Sequence, residues 1–293
     1  MTLRLDWLDP TAPGWAAELD ALWRDLGAPH NAQLLPSHFV QTAFVKLGGQ
    51  VLPVRSAGAL RGVALLFPAG LSAGRPTYTL RLNEVPGAAS LNLPSDDPAH
   101  HQVIAGARAL LRAHHAVPET TALPQLSPDI RFYHPRLARS YPPTHRQVGI
   151  FSVGSPGTDE LDAIRAMHMQ IWGSAPGAQY PDDLHSAEFG PATSLVARAA
   201  GRLVGFLLGF YRFGGLDGLR QTGLNAAISI ESQVMGVDSG LRRAGLAAAL
   251  KRIQASEALA RGIDVIHWTA DPLQFANATL NFHKLRAVAG EFY

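Results

Sequence analysis

The sequence predicts an α/β (α+β) protein built as two consecutive halves of similar plan. Three observations carry that prediction. Strand-like apolar runs alternate with segments of helical apolar spacing along all 293 residues. A β-hairpin pattern occurs twice, as LPVRSAGALRGVALLF over 52–67 and LVARAAGRLVGFLLGF over 195–210. An apolar strand also runs through a small-residue turn into a helix over Glu231–Ala247.

The hairpin repeat has a constant offset of 143 residues. Matches fall at Leu52/Leu195, Arg55/Arg198, Ala57/Ala200, Gly58/Gly201, Leu60/Leu203, Gly62/Gly205, Leu65/Leu208 and Phe67/Phe210. Pro36 and Phe44 match Pro181 and Phe189 after a two-residue shift, and Trp23 is a candidate match for Trp172. The offset is about half the chain, which favours tandem modules of 1–143 and 144–293. Tyr141-Pro-Pro-Thr-His145 reads as the linker between them.

In the first half the expected elements are a strand over Leu3–Leu8 and helices over Pro13–Leu26 and Pro36–Leu47. The hairpin over Val51–Phe67 follows, then a strand over Tyr78–Asn83, a helix over Pro98–His115, and a further strand and short helix. In the second half, a strand over Gln147–Val153 leads to a helix capped by Thr158 or Asp159. That helix places Leu161, Ile164, Met167, His168 and Ile171 at helical spacing. Pro181 opens another short helix, since proline is tolerated in a first turn. Residues 214–226 are Gly-rich and too long for a tight hairpin, so they form a loop. The strand over Ile228–Val237 then meets Arg242-Arg243-Ala244-Gly245-Leu246-Ala247 and a helix over Arg243–Arg261, which Gly262 ends. A buried-type strand over Ile263–Trp268 and a helix containing Asn277 complete the series.

The loop carries the functional signal. It fits (Arg/Gln)-x-x-Gly-x-(Gly/Ala), and a strand–turn–helix gathers unpaired backbone N–H groups into an anion nest beside Arg242 and Arg243. The Gly-x-x-x-x-Gly-Lys-(Ser/Thr) nucleotide loop and the three-glycine dinucleotide fingerprint are both absent. With Asn277-Ala-Thr-Leu-Asn-Phe-His-Lys-Leu285 downstream, the chain resembles the GNAT superfamily of acyl-CoA-dependent N-acyltransferases. The Trp268-Thr-Ala-Asp271-Pro272 run is similar to a less characterised subgroup.

The resemblance implies a central mixed, mostly antiparallel sheet flanked by helices, with acetyl-CoA or another acyl-CoA as co-substrate. It assigns cofactor contacts to Arg242, Arg243, Ala244, Gly245, Leu246, Ala247 and Asn277, and pantetheine contacts to the backbone of Val234, Met235, Gly236 and Val237. It implies Glu231 as the base that deprotonates the amine; the residue stands in an otherwise apolar strand, where partial burial would raise its pKa. A Glu on the solvent side, or one paired with an Arg, is the competing reading. Trp172, Tyr180 and Tyr211, with His168, are candidates for the acceptor-amine pocket, the alternative for Trp172 and His168 being packing on the sheet.

The chain departs from the family pattern in two places. Phe282 stands where many members have a Tyr that protonates the CoA thiolate, leaving Tyr293, water or no acid at all. Arg286 replaces an expected glycine. The family sheet continues past the last helix, so the chain is expected to be truncated or completed by its first half. In that first half, Asn92–Asp97 lacks the Arg-x-x-Gly pattern and carries two Asp that repel an anion, so the module keeps the fold without the cofactor. Asp271 caps the last helix or binds the acceptor ammonium.

Composition narrows the classes further. There is no cysteine, hence no thiolate nucleophile, and attack is direct in a ternary complex. The twelve His show no ligand spacing, so no metal is expected. The formal charge of +2 comes without a Lys/Arg-rich run, so no nucleic acid is expected. No membrane-length apolar run and no signal peptide appear, which predicts a cytoplasmic protein, possible as a homodimer. The sequence thus predicts transfer of an acetyl- or succinyl-type group to a small amine, an amino acid included. Two rivals stand beside it: a non-catalytic CoA-binding sensor, and a nucleotide-binding module of another family.

Overall fold

The computed structural model describes residues 2–72, 75–88, 98–115, 129–135, 139–175, 178–190, 192–214, 227–271, 273 and 275–290. They form two compact units, Met1–Ala138 with Ser174–Asp183, and Arg139–Gly173 with Leu184–Tyr293. The expected linker Tyr141–His145 lies inside the second unit, where Tyr141 packs against the apolar cluster that contains Leu161, Ile164 and Phe206.

Unit 1 contains β1 (Arg4–Leu5), α1 (Trp15–Asp25), α2 (Ser37–Thr42), β2 (Gln50–Ser56), β3 (Ala59–Ser72), β4 (Arg75–Glu84), α3 (Pro98–His115) and β5 (Asp129–Tyr133). Its sheet runs β1-β2-β3-β4-β5, antiparallel except for the β4/β5 pair. A parallel pair needs a crossover, and α3 supplies it. The expected helix over Pro36–Leu47 breaks at Ala43 (φ −124°) and closes as a 3-10 turn over Phe44–Leu47.

Segment Ser174–Asp183, distant in sequence, is part of this unit. Arg81 on β4 is fully buried and donates from Nε and Nη2 to the Asp183 carboxylate at 2.7 and 3.1 Å. Tyr180 sits edge-on to Phe39, with ring centroids 5.2 Å apart.

Unit 2 contains β6 (Arg146–Val148), β7 (Phe151–Gly154), α4 (Leu161–Trp172), β8 (Ser194–Ala199), β9 (Arg202–Phe213), β10 (Ile228–Val237), α5 (Leu246–Leu259), β11 (Ile266–His267) and α6 (Phe275–Ala278). The sheet order is β11-β10-β9-β8-β7-β6, antiparallel except for β10/β11. Alternation splits each strand between two helices. Leu195, Ala197, Val204 and Leu207 meet Leu246, Leu250 and Ile253 of α5, whereas Val196, Leu203 and Phe206 meet Leu161, Ile164 and Met167 of α4.

The two hairpins agree in detail. Val54↔Gly62, Arg55↔Leu60 and Ser56↔Ala59 in unit 1 have counterparts in Ala197↔Gly205, Arg198↔Leu203 and Ala199↔Arg202, each with its register shift at the same point. Both turns are Ala-Gly with two positive φ angles, Ala57 48° and Gly58 82°, Ala200 48° and Gly201 74°. Paired positive φ values are the two-residue turn whose twist matches a hairpin.

Four expectations need correction. Gln147–Val153 is two strands, because Gly149 (φ 61°) turns the chain between them. Neither Thr158 nor Asp159 caps the next helix; Gly157 N–H donates to Glu160 Oε2 at 2.8 Å. The α5 helix starts at Leu246 instead of Arg243, since Arg243 (φ 69°) and Gly245 (φ 86°) are left-handed. The last helix does not stay α: Thr279–Lys284 is a π-helical turn closed by Leu285 N–H to Leu280 O at 3.0 Å. Residues 92–97, 215–226 and Tyr293 lie outside the described residues.

Candidate functional site

The loop after β10 is built by its own backbone. Asp238 N–H bonds Val204 O, and its carboxylate accepts from Gly240 N–H at 2.9 Å and from Arg202 Nη1 at 2.9 Å. Those donors, Gly240 first, hold the Asp238 carboxyl below its usual range. A 3-10 turn over Ser239–Leu241 then delivers the exposed Arg242 and Arg243 to the start of α5. Among the described residues, the N–H groups of Arg243, Gly245, Leu246 and Ala247 have no hydrogen-bond partner; the first α5 bond is Ala249 N–H to Gly245 O.

Gly245 has to be left-handed here, and a Cβ added to it would meet no atom within 4 Å. The loop therefore faces open space with four free donors, a helix dipole and two guanidinium groups. That donor set fits a pyrophosphate. Ala244 is exposed, and Leu246 is instead a core residue whose contribution to a ligand is its backbone alone.

The adjoining strand is also open. Pairing of β10 with β11 ends at Glu231↔His267, and the β10 edge beyond it has no strand partner on that side among the described residues. A bulge at Gln233, between Ser232 and Val234, shifts the register against β9 just past that point. Val234 packs toward α4, and Met235 and Val237 pack toward α5. Gly236 lies against Phe206 and Ile171. The backbone of Val234–Val237 is thus the part left to hold an extended ligand.

Glu231 is half-buried at the parting of the strands, with Arg212 Nη1 3.8 Å from its carboxylate. It is paired with an Arg, not isolated in apolar surroundings. Beside it, His267 Nε2 and Arg212 Nε are buried without a hydrogen-bond partner among the described residues; Ser232 Oγ, likewise unpartnered, lies on the opposite face of the strand. Burying such atoms unpaired costs about 1–3 kcal/mol each, so their clustering marks a place where a polar ligand repays the fold.

The acceptor candidates are dispersed. Trp172, 46% exposed, ends α4 and stacks on His168 (4.8 Å) and edge-on to Phe206 (6.1 Å). Burial pushes the His168 pKa down. Tyr211 is buried against Ile230, Ala258 and Ile263, the α5 side of the sheet, and burial raises its pKa to about 12. Strand alternation puts Tyr211 and Glu231 on opposite faces, since Tyr211 pairs with Ile230. Tyr180 belongs to unit 1. Only Trp172 and His168 remain on the α4 side with Glu231.

At the far end, Asn277 in α6 is half-buried, Phe282 is 53% exposed, and His283 is exposed. Asp271 Oδ1 accepts from Leu273 N–H at 2.9 Å, an Asx turn just before α6. Sequence reasoning missed a buried cluster beside it. Trp268 Nε1–H donates to Asn281 Oδ1 at 3.2 Å, and Lys251 Nζ sits 4.0 Å over the Trp268 ring. Burial pushes Lys251 down to about 7; burial, then Arg212 and Lys251, push His267 down to about 4. The signals were faint: a Lys between apolar helix positions, and a His whose neighbour is set by strand register.

No protein-family profile and no curated protein matches this chain. Solved structures do. The aminoglycoside N-acetyltransferase AAC(6')-Iy in complex with CoA is similar over 49% of this chain and 91% of its own, at 19% identity and a TM-score of 0.40. AAC(6')-Ih from Acinetobacter baumannii is similar over 49% and 94%, at 14% and 0.40. A diaminobutyrate acetyltransferase from Paenibacillus lautus, in complex with its substrate and coenzyme A, is similar over 44% and 71%, at 19% and 0.33. Independently of them, unit 2 has the order the GNAT resemblance implies: strand, loop, helix, strand, helix. The mixed, mostly antiparallel sheet flanked by helices is the observed fold class.

Proposed function

We propose that the chain is a GNAT-type N-acyltransferase that moves an acyl group from acyl-CoA to a small amine. The observation that carries this reading is the open loop Arg242–Ala247, four unbonded N–H groups beside two exposed Arg, running directly from the unpaired β10 edge. Acyl-CoA supplies the thioester. The loop would bind its pyrophosphate, and the backbone of Val234–Val237 would align its pantetheine and offer an N–H to the developing oxyanion. Asn277, on α6, would add a further cofactor contact.

Glu231 would take the proton from the acceptor ammonium. Arg212 Nη1 stands 3.8 Å from that carboxylate, as its charge partner within the fold. Phe282 has no proton to give the departing thiolate, so water is the donor in this reading. Trp172 and His168 would line the acceptor side of the same face. Among the described residues no group of three His, Asp or Glu could hold a metal ion, and no helix is long and apolar enough to cross a membrane. A cytoplasmic location follows from the acyl-CoA supply.

A second reading, a CoA-binding sensor, is favoured by the missing tyrosine and by the Arg212 pairing of Glu231. Two measurements separate them. Thermal unfolding with acetyl-CoA, CoA, ATP and NAD tests the loop: a CoA species at a hundred times its Kd adds about 2.7 kcal/mol, visible as a Tm rise of a few degrees. Replacing Arg242 and Arg243 by Ala should abolish that rise; an equal rise with ATP or NAD would sink the CoA assignment. Thiol release with a panel of small amines then tests turnover, which a sensor lacks.

A further inference from the structure

Acyl transfer as proposed leaves the departing CoA thiolate to water, because Phe282 has no proton to give. Unit 2 also contains a buried cation to which that reaction assigns no part. Lys251 on α5 is 7% exposed, and its Nζ lies 4.0 Å over the Trp268 ring. It has no hydrogen bond or ion pair among the described residues. A ring face offsets only part of the cost of burying an ammonium, and methionine would fill similar space without that cost.

Packing fixes where along β10 this lysine stands. A Cβ added to Gly205 would meet Leu246 and Leu250, and Gly205 pairs with Val237. A Cβ added to Gly209 would approach Gln254 Nε2, and Gly209 pairs with Ser232. Helix α5 therefore runs antiparallel to β10, from the level of Val237 to that of Ser232. Lys251 shares a face with Gln254, three residues on, and falls between those levels, at the height of Val234 and Met235. That is the stretch β11 leaves unpaired, since pairing ends at Glu231↔His267. Trp268, beneath the ammonium, is the first residue past that end.

The same wall carries other unspent polar atoms. Ser232 Oγ and Gln254 Oε1, on the α5 side near the bulge, are buried without a hydrogen-bond partner among the described residues. Trp268 Nε1–H donates to Asn281 Oδ1 at 3.2 Å, one residue before Phe282. Burial brings Lys251 down to about 7, below the ordinary thiol value of about 8.5, so proton transfer from its ammonium to a thiolate runs downhill.

We propose that Lys251 is the proton donor to the CoA thiolate, doing from α5 what the family pattern gives to a tyrosine at position 282. The inference rests on acyl transfer at this site. As the C–S bond breaks, its electron pair stays on sulphur, and one Nζ–H proton moves there to give CoA–SH. The attacking nitrogen loses two protons between ammonium and amide. Glu231 passes the first to solvent, and the second replaces, through solvent, the one that Lys251 gave up.

The test is thiol release from acetyl-CoA with the amine panel, in the full chain. Lys251→Met should lower kcat about a hundredfold, while CoA affinity by calorimetric titration stays within about twofold. Lys251→Arg keeps the charge but holds its proton too tightly to donate, and should be as slow. In the unaltered protein kcat should decline as pH rises through about 7, where Lys251 loses its proton, and Lys251→Met should lack that decline. Of the charged groups nearby, His267 titrates near 4, and Arg212 and Glu231 stand on the opposite face of the sheet. Unchanged kcat in Lys251→Met, full rate in Lys251→Arg, or CoA affinity that falls in step with kcat overturns the assignment. Should Lys251→Met fail to fold, Lys251→Arg and the pH profile decide. No thiol release from the unaltered protein sinks acyl transfer and this inference together; release that is indifferent to Lys251 sinks this inference alone.

Discussion

Single residues in this protein are asked to do things their chemistry resists, and each such case is measurable. Lys251 and His267 are both kept in the fold with pKa values below those of the unfolded chain, about 7 and about 4. A base with a depressed folded pKa penalises the native state below the unfolded pKa and is harmless above it. Stability should therefore fall as pH drops from about 6.5 to 4 for His267, and from about 10.5 to 7 for Lys251. Denaturant unfolding across pH tests this, and Lys251→Met should flatten the alkaline part of the curve and raise stability at pH 7 by a few kcal/mol, less the cation–π contact with Trp268. A flat profile in the unaltered protein would refute the assignment. Arg286 holds φ 55° where the family pattern has glycine. Arg286→Gly should stabilise by about 1 kcal/mol, because an L side chain in that region carries strain. For catalysis, Glu231→Gln should lower kcat by about a hundredfold or more with CoA affinity intact; equal kcat would leave the sensor reading.

At the scale of elements, the two hairpins and the loop Arg242–Ala247 share one device, a forced positive φ. In the hairpins it appears at Ala57 and Ala200, where Asn would be more at ease. Ala200→Asn should raise the melting point of unit 2, with a gain of about 0.5–1 kcal/mol. In the loop it appears at Gly245, which sets the first free N–H groups of α5 toward open space. Gly245→Ala should cost about 1 kcal/mol in stability and more in CoA affinity, read by calorimetric titration. Equal CoA affinity in that variant would move the pyrophosphate elsewhere. The hairpin repeat was legible as a residue pattern because side chains in a strand alternate with a period of two. The start of α5 was misplaced because helical apolar spacing says nothing about φ at Arg243.

At the scale of the whole molecule, the decisive contact spans 102 positions. Arg81 and Asp183 are both almost fully buried, and they fasten Ser174–Asp183 into unit 1. Asp183→Ala leaves a buried guanidinium without its counter-ion and should cost about 3–5 kcal/mol, seen as a lowered transition for the unit that contains Arg81. Loss of less than about 1 kcal/mol would mean that the segment is held by Tyr180 and Phe39 alone. The tandem plan itself is supported by matching registers, turns and shifts in the two hairpins, and a shared origin of the two halves is our reading of them.

By itself the sequence determined the alternation of strands and helices, the doubled hairpin, and the loop with Arg242, Arg243 and Gly245, because each is written in local spacing and local backbone preference. Tertiary structure alone decided that Arg212 stands beside Glu231, that Tyr211 faces away from it, that Tyr180 belongs to unit 1, and that Lys251 lies over Trp268. Those facts depend on strand register and on which segment packs where. A one-residue slip in register reverses every side chain, so no pattern along the chain specifies them.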